Sequence, residues 1–185
     1  MSEYNEHFIS TMLVPKFHFL DPQEDEIELR DISHSLSLLC RYGGHCKIFY
    51  SVGEHCVRMA QILKHYGADE YYQLAALLHD AEEAYLPDIP RPVKYVMPEA
   101  EKIYKPIRDV IYKKFGVPST VDWAIIKDFD NRILLTEAKQ LGVWNKMWEP
   151  LGRGLRYIGE DKELGWCPNE AEEKFEKIYE ELRRA

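Results

Sequence analysis

Apolar residues recur at spacings of three and four along most of this chain, and no segment alternates apolar with polar residues between hairpin turns. That period suits helices alone, because a 3.6-residue repeat brings every third or fourth side chain to one face. The pattern predicts a first helix from Glu26, with Leu29, Ile32, Leu36, Leu39 and Cys40 on one face and a stop at Tyr42, Gly43 and Gly44. Ser51 followed by Glu54 reads as a capping box that opens a second helix, with Val52, Cys56, Met59 and Leu63 turned inward and Gly67 at its end. A third helix is expected from Glu70 to about Leu86 and a fourth from Pro98 to Phe115, kinked at Pro106. A fifth should run from about Thr120 to Leu141, and a last from Asn169 through Phe175, Ile178, Tyr179 and Leu182. Between Leu86 and Pro92 three prolines fix φ and remove donors, so that stretch is expected to be a rigid loop without helix. The fold class that follows is all-α.

With 185 residues, 45% of them hydrophobic, the chain can build one domain and not two. Its expected parts are an aperiodic N-terminal arm (1–25), a core (26–141) and a C-terminal extension and helix (142–185) that holds Trp144, Trp148 and Trp166. A net charge of -8 argues against a broad basic surface for a nucleic acid polymer. Charges interrupt every apolar run before it reaches membrane-spanning length, so no membrane association and a cytoplasmic location are expected. Cys40, Cys46, Cys56 and Cys167 form no CxxC pair and read as reduced, mostly buried thiols. Cys40, His45 and Cys46 are too closely spaced for an ordinary structural zinc site, and cysteines beside a tight turn are the preferred reading.

His79 and Asp80 close the apolar run Leu74 to Leu78, where desolvating both is costly without a compensating charge. His55 lies on the Val52 and Met59 side of the second helix, and Asp130 shares a face with Ile126, Ile133 and Leu134. Two imidazoles and two carboxylates from three helices can therefore converge, with Asp128 the competing choice for the last position. Such a mixed nitrogen and oxygen set suits a divalent transition metal (Mn, Fe, Co, Ni or Zn) better than Mg or Ca. Glu83 falls one turn after His79, while Glu82, Glu99 and Glu101 read as solvated charges.

The order His55, His79 with Asp80, then Asp130 resembles the HD-domain metal-dependent phosphohydrolases. Within them, HDAEEAYLPDIPRPVKY (His79 to Tyr95) is similar to the bacterial 5'-deoxynucleotidases and to phage deoxynucleoside triphosphohydrolases of the dATPase type. CRYGGH, SVGEHC and IKDFDNRILLTE resemble the phage type, so the likeness spans Asp31 to Glu137. Two positions depart from the pattern: Glu82 stands where relatives carry a small residue, and Tyr42 where some carry tryptophan.

The resemblance implies an HD-domain helical bundle whose metal is held by His55, His79, Asp80 and Asp130. It makes Glu83 and Asp88 the proton-handling pair and Arg41, Lys94 and Lys127 the phosphate cations. Tyr42 would stack on a base or exclude a 2'-hydroxyl. The implied reaction is hydrolysis of 2'-deoxynucleotides, leaning to a dATPase-like triphosphohydrolase, with a deoxynucleoside 5'-monophosphatase as the alternative. A non-catalytic, metal-dependent nucleotide sensor is the reading from another class. Relatives of this type also imply a homo-oligomer, dimer or hexamer.

Overall fold

One helix, α2 (Val52–His65), is enclosed on every side: each residue from Val52 to Ala60 is buried, including His55 and the ion pair Glu54 with Arg58. The computed structural model describes residues 7–155 and 163–184, and within them the chain is an all-helical bundle with no strand. Around α2 stand α1 (Leu29–Leu38), α3 (Glu70–Leu78), α6 (Trp123–Leu141) and α7 (Pro168–Arg184). The single turn α4 (Arg91–Lys94) and helix α5 (Glu101–Phe115) complete the set. No helix among these residues is long and apolar enough to cross a membrane. Residues 1–6 of the expected arm, and 156–162 and 185 of the expected extension, lie outside the described residues.

Two apolar clusters fill the interior. Phe17, Ile32, Leu36, Val57, Leu77, Ile107 and Phe175 belong to one, and Met59, Ile62, Leu63, Ala75, Ile126 and Ile133 to the other. Each of these side chains larger than alanine contributes about 1.5–3 kcal/mol on burial. The approach of α1 to α2 depends on Gly53, where a Cβ would come within 2.7 Å of Ser37 Oγ and 3.1 Å of the Ser37 backbone nitrogen. The arm lies against the bundle through Phe17, fully buried and stacked on Tyr85 at 4.0 Å. Asp31 ties it further by accepting from the Thr11 hydroxyl at 2.6 Å and the Leu13 amide at 2.9 Å.

Several local expectations need correction. Ser51 caps α2 by accepting from the Glu54 amide at 2.9 Å, but Glu54 does not complete the box. Its carboxylate instead receives Arg58 and the backbone amides of Gly165 and Trp166. The third helix stops at Leu78 and not near Leu86: His79 Nδ1 turns back to the Ala76 carbonyl at 2.7 Å, and a 3-10 turn over Ala81–Ala84 follows. The proline-rich stretch does contain helix, because Pro92 falls in the first turn of α4, where its missing donor has no helical partner to lose. Glu82 is buried and paired with Arg108 at 2.8 Å, so it is not a solvated charge. Of the free thiols only Cys56 is buried; Cys40 and Cys46 are half-buried and Cys167 exposed.

Candidate functional site

The break after Leu78 positions the site. His79 ends α3, and the 3-10 turn over Ala81–Ala84 that follows brings Asp80 and Glu83 to the wall of the same cavity as Asp130 of α6. On α6 the inward stripe Ile126, Asp130, Ile133, Glu137 and Leu141 carries two carboxylates among apolar residues. His55, His79 and Asp130 offer ligand atoms that lie within 4.8 Å of one another.

Ring geometry fixes what those atoms are. His55 Nδ1 faces Glu137 Oε1 at 2.9 Å and His79 Nδ1 faces the Ala76 carbonyl at 2.7 Å, so both Nδ1 atoms serve as donors. The Nε2 lone pairs are then left pointing inward, 3.3 Å apart. Asp130 Oδ1 stands 3.5 Å from His55 Nε2, and Asp80 Oδ2 stands 3.2 Å from His79 Nε2. His55, His79 and Asp130 form one cluster and Asp80 joins His79 and Cys56 in a second, so acceptors crowd around the His79 ring and repel unless a positive species lies among them. The field is strong: although burial works against a charge on His79, Asp80 and Cys56 hold its imidazole well above the ordinary histidine range. The donor set of two nitrogens and two carboxylates therefore fits a divalent transition metal. Asp128, at 61% side-chain exposure and paired with Arg132, faces away from it.

Glu137 is the residue that sequence reasoning passed over. It is fully buried and gathers His55 Nδ1, the Tyr50 hydroxyl at 2.5 Å and the Arg41 guanidinium at 3.8 Å. Burial raises its pKa, but His55, Arg41 and Tyr50 outweigh that and keep it ionised. A carboxylate behind a ligating imidazole fixes the ring and raises its basicity.

The cluster opens into a cavity of about 560 Å³. Lining it are Arg41, Tyr42, Asp80, Glu83, Asp88, Lys94, Lys127 and Asp130, which include all six of the expected catalytic and substrate-contacting residues. The lysines are not idle cations there: Lys94 donates to Glu83 Oε1 at 3.0 Å and Lys127 to Asp130 Oδ2 at 2.6 Å. Arg41 donates to Asp80 Oδ2 at 3.3 Å. Arg91, also missed, donates to Asp130 Oδ2 at 3.1 Å from the helical turn that the prolines had seemed to forbid. Burial, with Asp80 and Asp88 adding to it and Lys94 opposing, pushes the Glu83 carboxyl well above its usual range, and its Oε2 has no hydrogen-bond partner. Tyr42 occupies the left-handed region at φ 57° beside Gly43, a costly backbone for an aromatic residue that turns its ring into the cavity. Cys40 and Cys46 lie 3.7 Å apart, and neither they nor exposed His45 enter a metal-ligating cluster among the described residues.

Comparison with known proteins agrees with this geometry. The HD domain family model matches residues 52–141, from the first residue of α2 to the last of α6, a span that holds all four candidate ligands. The uncharacterized protein YfdR of Escherichia coli K12 is 34% identical over 148 residues, 80% of either chain. An uncharacterized protein of Rhodobacter capsulatus is 33% identical over 137 residues, 68% of either chain.

Proposed function

The chain belongs to the HD domain family, whose members bind divalent metal, and from that premise we propose that it hydrolyses phosphate esters of 2'-deoxynucleotides. The observation that carries the reading is the charge balance of the cavity: Arg41, Arg91, Lys94 and Lys127 face Asp80, Asp88 and Asp130, with Glu83 beside them as a protonated carboxyl. A divalent ion held by His55, His79, Asp80 and Asp130 would leave the cavity net positive, matched to a phosphate chain. When bound, such an ion polarises a phosphoryl oxygen and lowers the pKa of water toward neutrality.

The protein's own residues supply the rest. Arg41 presents a planar fork to phosphate oxygens, and Lys94 and Lys127 exchange their carboxylate partners for phosphate as charge arrives. Glu83 holds a proton because it is buried, and burial does not depend on the metal; it donates that proton to the leaving oxygen. Asp88, half-buried on the same wall, takes the proton from the attacking water. Four cations favour a triphosphate over a monophosphate, so the dATPase-like triphosphohydrolase is the preferred form of this activity. Glu83 and Asp88 would have no work in a pure sensor.

The test is a panel of deoxynucleoside mono- and triphosphates with Mn or Co added, the products separated as phosphate or tripolyphosphate. Tripolyphosphate release is expected, and phosphate release from monophosphates alone would move the assignment to a 5'-monophosphatase. Asp80→Asn should abolish turnover while helical circular dichroism stays unchanged, since a ligand is lost and the core is not. Turnover unaffected by a chelator would overturn the metal-dependent reading.

A further inference from the structure

Cys40 and Cys46 bracket the turn that brings Arg41 and Tyr42 to the cavity, and their sulfurs touch. The two Sγ atoms stand 3.7 Å apart, both residues are half-buried, and both thiols are free. A disulfide holds its sulfurs about 2.0 Å apart, so the pair lies one small side-chain movement from a covalent bond. The other two thiols stand elsewhere: buried Cys56 faces the His79 ring, and exposed Cys167 precedes α7.

Both ends of the turn are anchored to the bundle. Beside Cys40, the Arg41 amide donates to the Tyr50 carbonyl and the Val52 amide to the Leu39 carbonyl, each at 2.9 Å. Beside Cys46, the Lys47 amide donates to the Leu141 carbonyl at 3.0 Å, at the end of α6. Between these anchors Tyr42, Gly43 and Gly44 are all left-handed, and Tyr42 is the costly one. The Cys46 thiol also steadies the turn, donating weakly to the Arg41 carbonyl at 3.9 Å. Joining the sulfurs removes that donor and shortens the span across a strained turn. The displacement falls on Arg41 and Tyr42, the residues with anchors on either side.

Resting on the phosphohydrolase reading for the role of Arg41, we propose that Cys40 and Cys46 are an oxidation site, closed to a disulfide by a peroxide, that withdraws Arg41 from the phosphate-binding wall. One thiol attacks the peroxide O–O bond and becomes a sulfenic acid, releasing water or an alcohol that carries off the thiol proton. The second thiol displaces the new hydroxyl as water and forms the S–S bond, so the two electrons end on the peroxide oxygens. Burial, and after it the Cys40 sulfur, pushes the Cys46 thiol up, which slows the reaction. Proximity works the other way, since the partner sulfur is in contact before either is oxidised. A dithiol reverses the bond by exchange.

The experiment uses Cys167→Ser protein, which removes the exposed thiol that could bridge two molecules. The protein is treated with hydrogen peroxide, then loaded with Mn and titrated with inorganic tripolyphosphate by calorimetry. Trypsin cuts after Arg41, so in a denatured digest the peptides carrying Cys40 and Cys46 stay joined only through a disulfide. Joined peptides are expected, with tripolyphosphate bound about tenfold more weakly, the loss of one charge-assisted contact, and with a dithiol restoring the affinity. Cys40→Ser and Cys46→Ser should bind as the reduced protein does and ignore peroxide. Separate peptides after oxidation, or a serine variant that still responds, would overturn the site. Joined peptides with unchanged or tighter binding would overturn its hold on Arg41. Reduced protein that binds tripolyphosphate but hydrolyses no deoxynucleotide would overturn the phosphohydrolase reading while the oxidation site stands, and reduced protein that binds none would overturn that reading and the hold on Arg41 together.

Discussion

Glu137 governs His55 from a distance of one hydrogen bond. A fully buried carboxylate that accepts from an imidazole and a phenol is held ionised by those partners, and its charge reaches the metal position through the ring. Glu137→Gln keeps the shape and removes the charge. Metal affinity should fall about 10- to 100-fold, read by calorimetric titration with Mn, while the far-ultraviolet spectrum is retained; unchanged affinity would mean that Glu137 only fills space. The cluster of His55, His79 and Asp130 was legible in the sequence because histidine and aspartate on apolar stripes demand compensation. Glu137 obeys the same rule on the same stripe as Asp130, yet it falls in the last turns of a long helix, where a glutamate passes for a surface residue. Arg91 was hidden for another reason. It comes from a short turn whose direction no period reveals.

At the scale of the elements, periodicity located the long helices to within a few residues and misjudged where one ended. α3 stops at Leu78 because the His79 ring satisfies the Ala76 carbonyl and releases the chain, a side-chain event that apolar spacing does not encode. α4 forms because proline is compatible with a first turn, so the prolines in 86–92 restrict the position of helix and do not abolish it. The α1 and α2 contact depends on a missing side chain. Gly53→Ala would press a methyl group against the Ser37 backbone, which cannot turn aside, and overpacking of this kind costs about 1–3 kcal/mol. Chemical denaturation should show that loss, together with a displaced His55 two residues on and weaker metal binding. A variant as stable as wild type would mean that α1 shifts freely.

For the molecule as a whole, α7 is a wall of the bundle and not an appendage. Phe175 is fully exposed to the interior and to no solvent, in one cluster with Val57, Leu77 and Ile107. Phe175→Ala should cost about 3–5 kcal/mol, with fluorescence and circular dichroism reporting one coincident transition in urea. Separate transitions would show that α7 unfolds independently of the rest.

The Glu54 carboxylate fixes when this protein can finish folding as well as how. Its amide partners, Gly165 and Trp166, are 111 and 112 positions away, so the anion buried at the start of α2 waits for them until that much more chain has been made. At about 5–20 residues per second, that wait is roughly 5 to 20 s. During it Glu54 lacks those two amides, and the apolar face of α2 that α7 will cover stays open. The nascent chain is therefore at its most vulnerable to chaperone capture and proteolysis after its candidate metal ligands have been made and before its last helix has emerged.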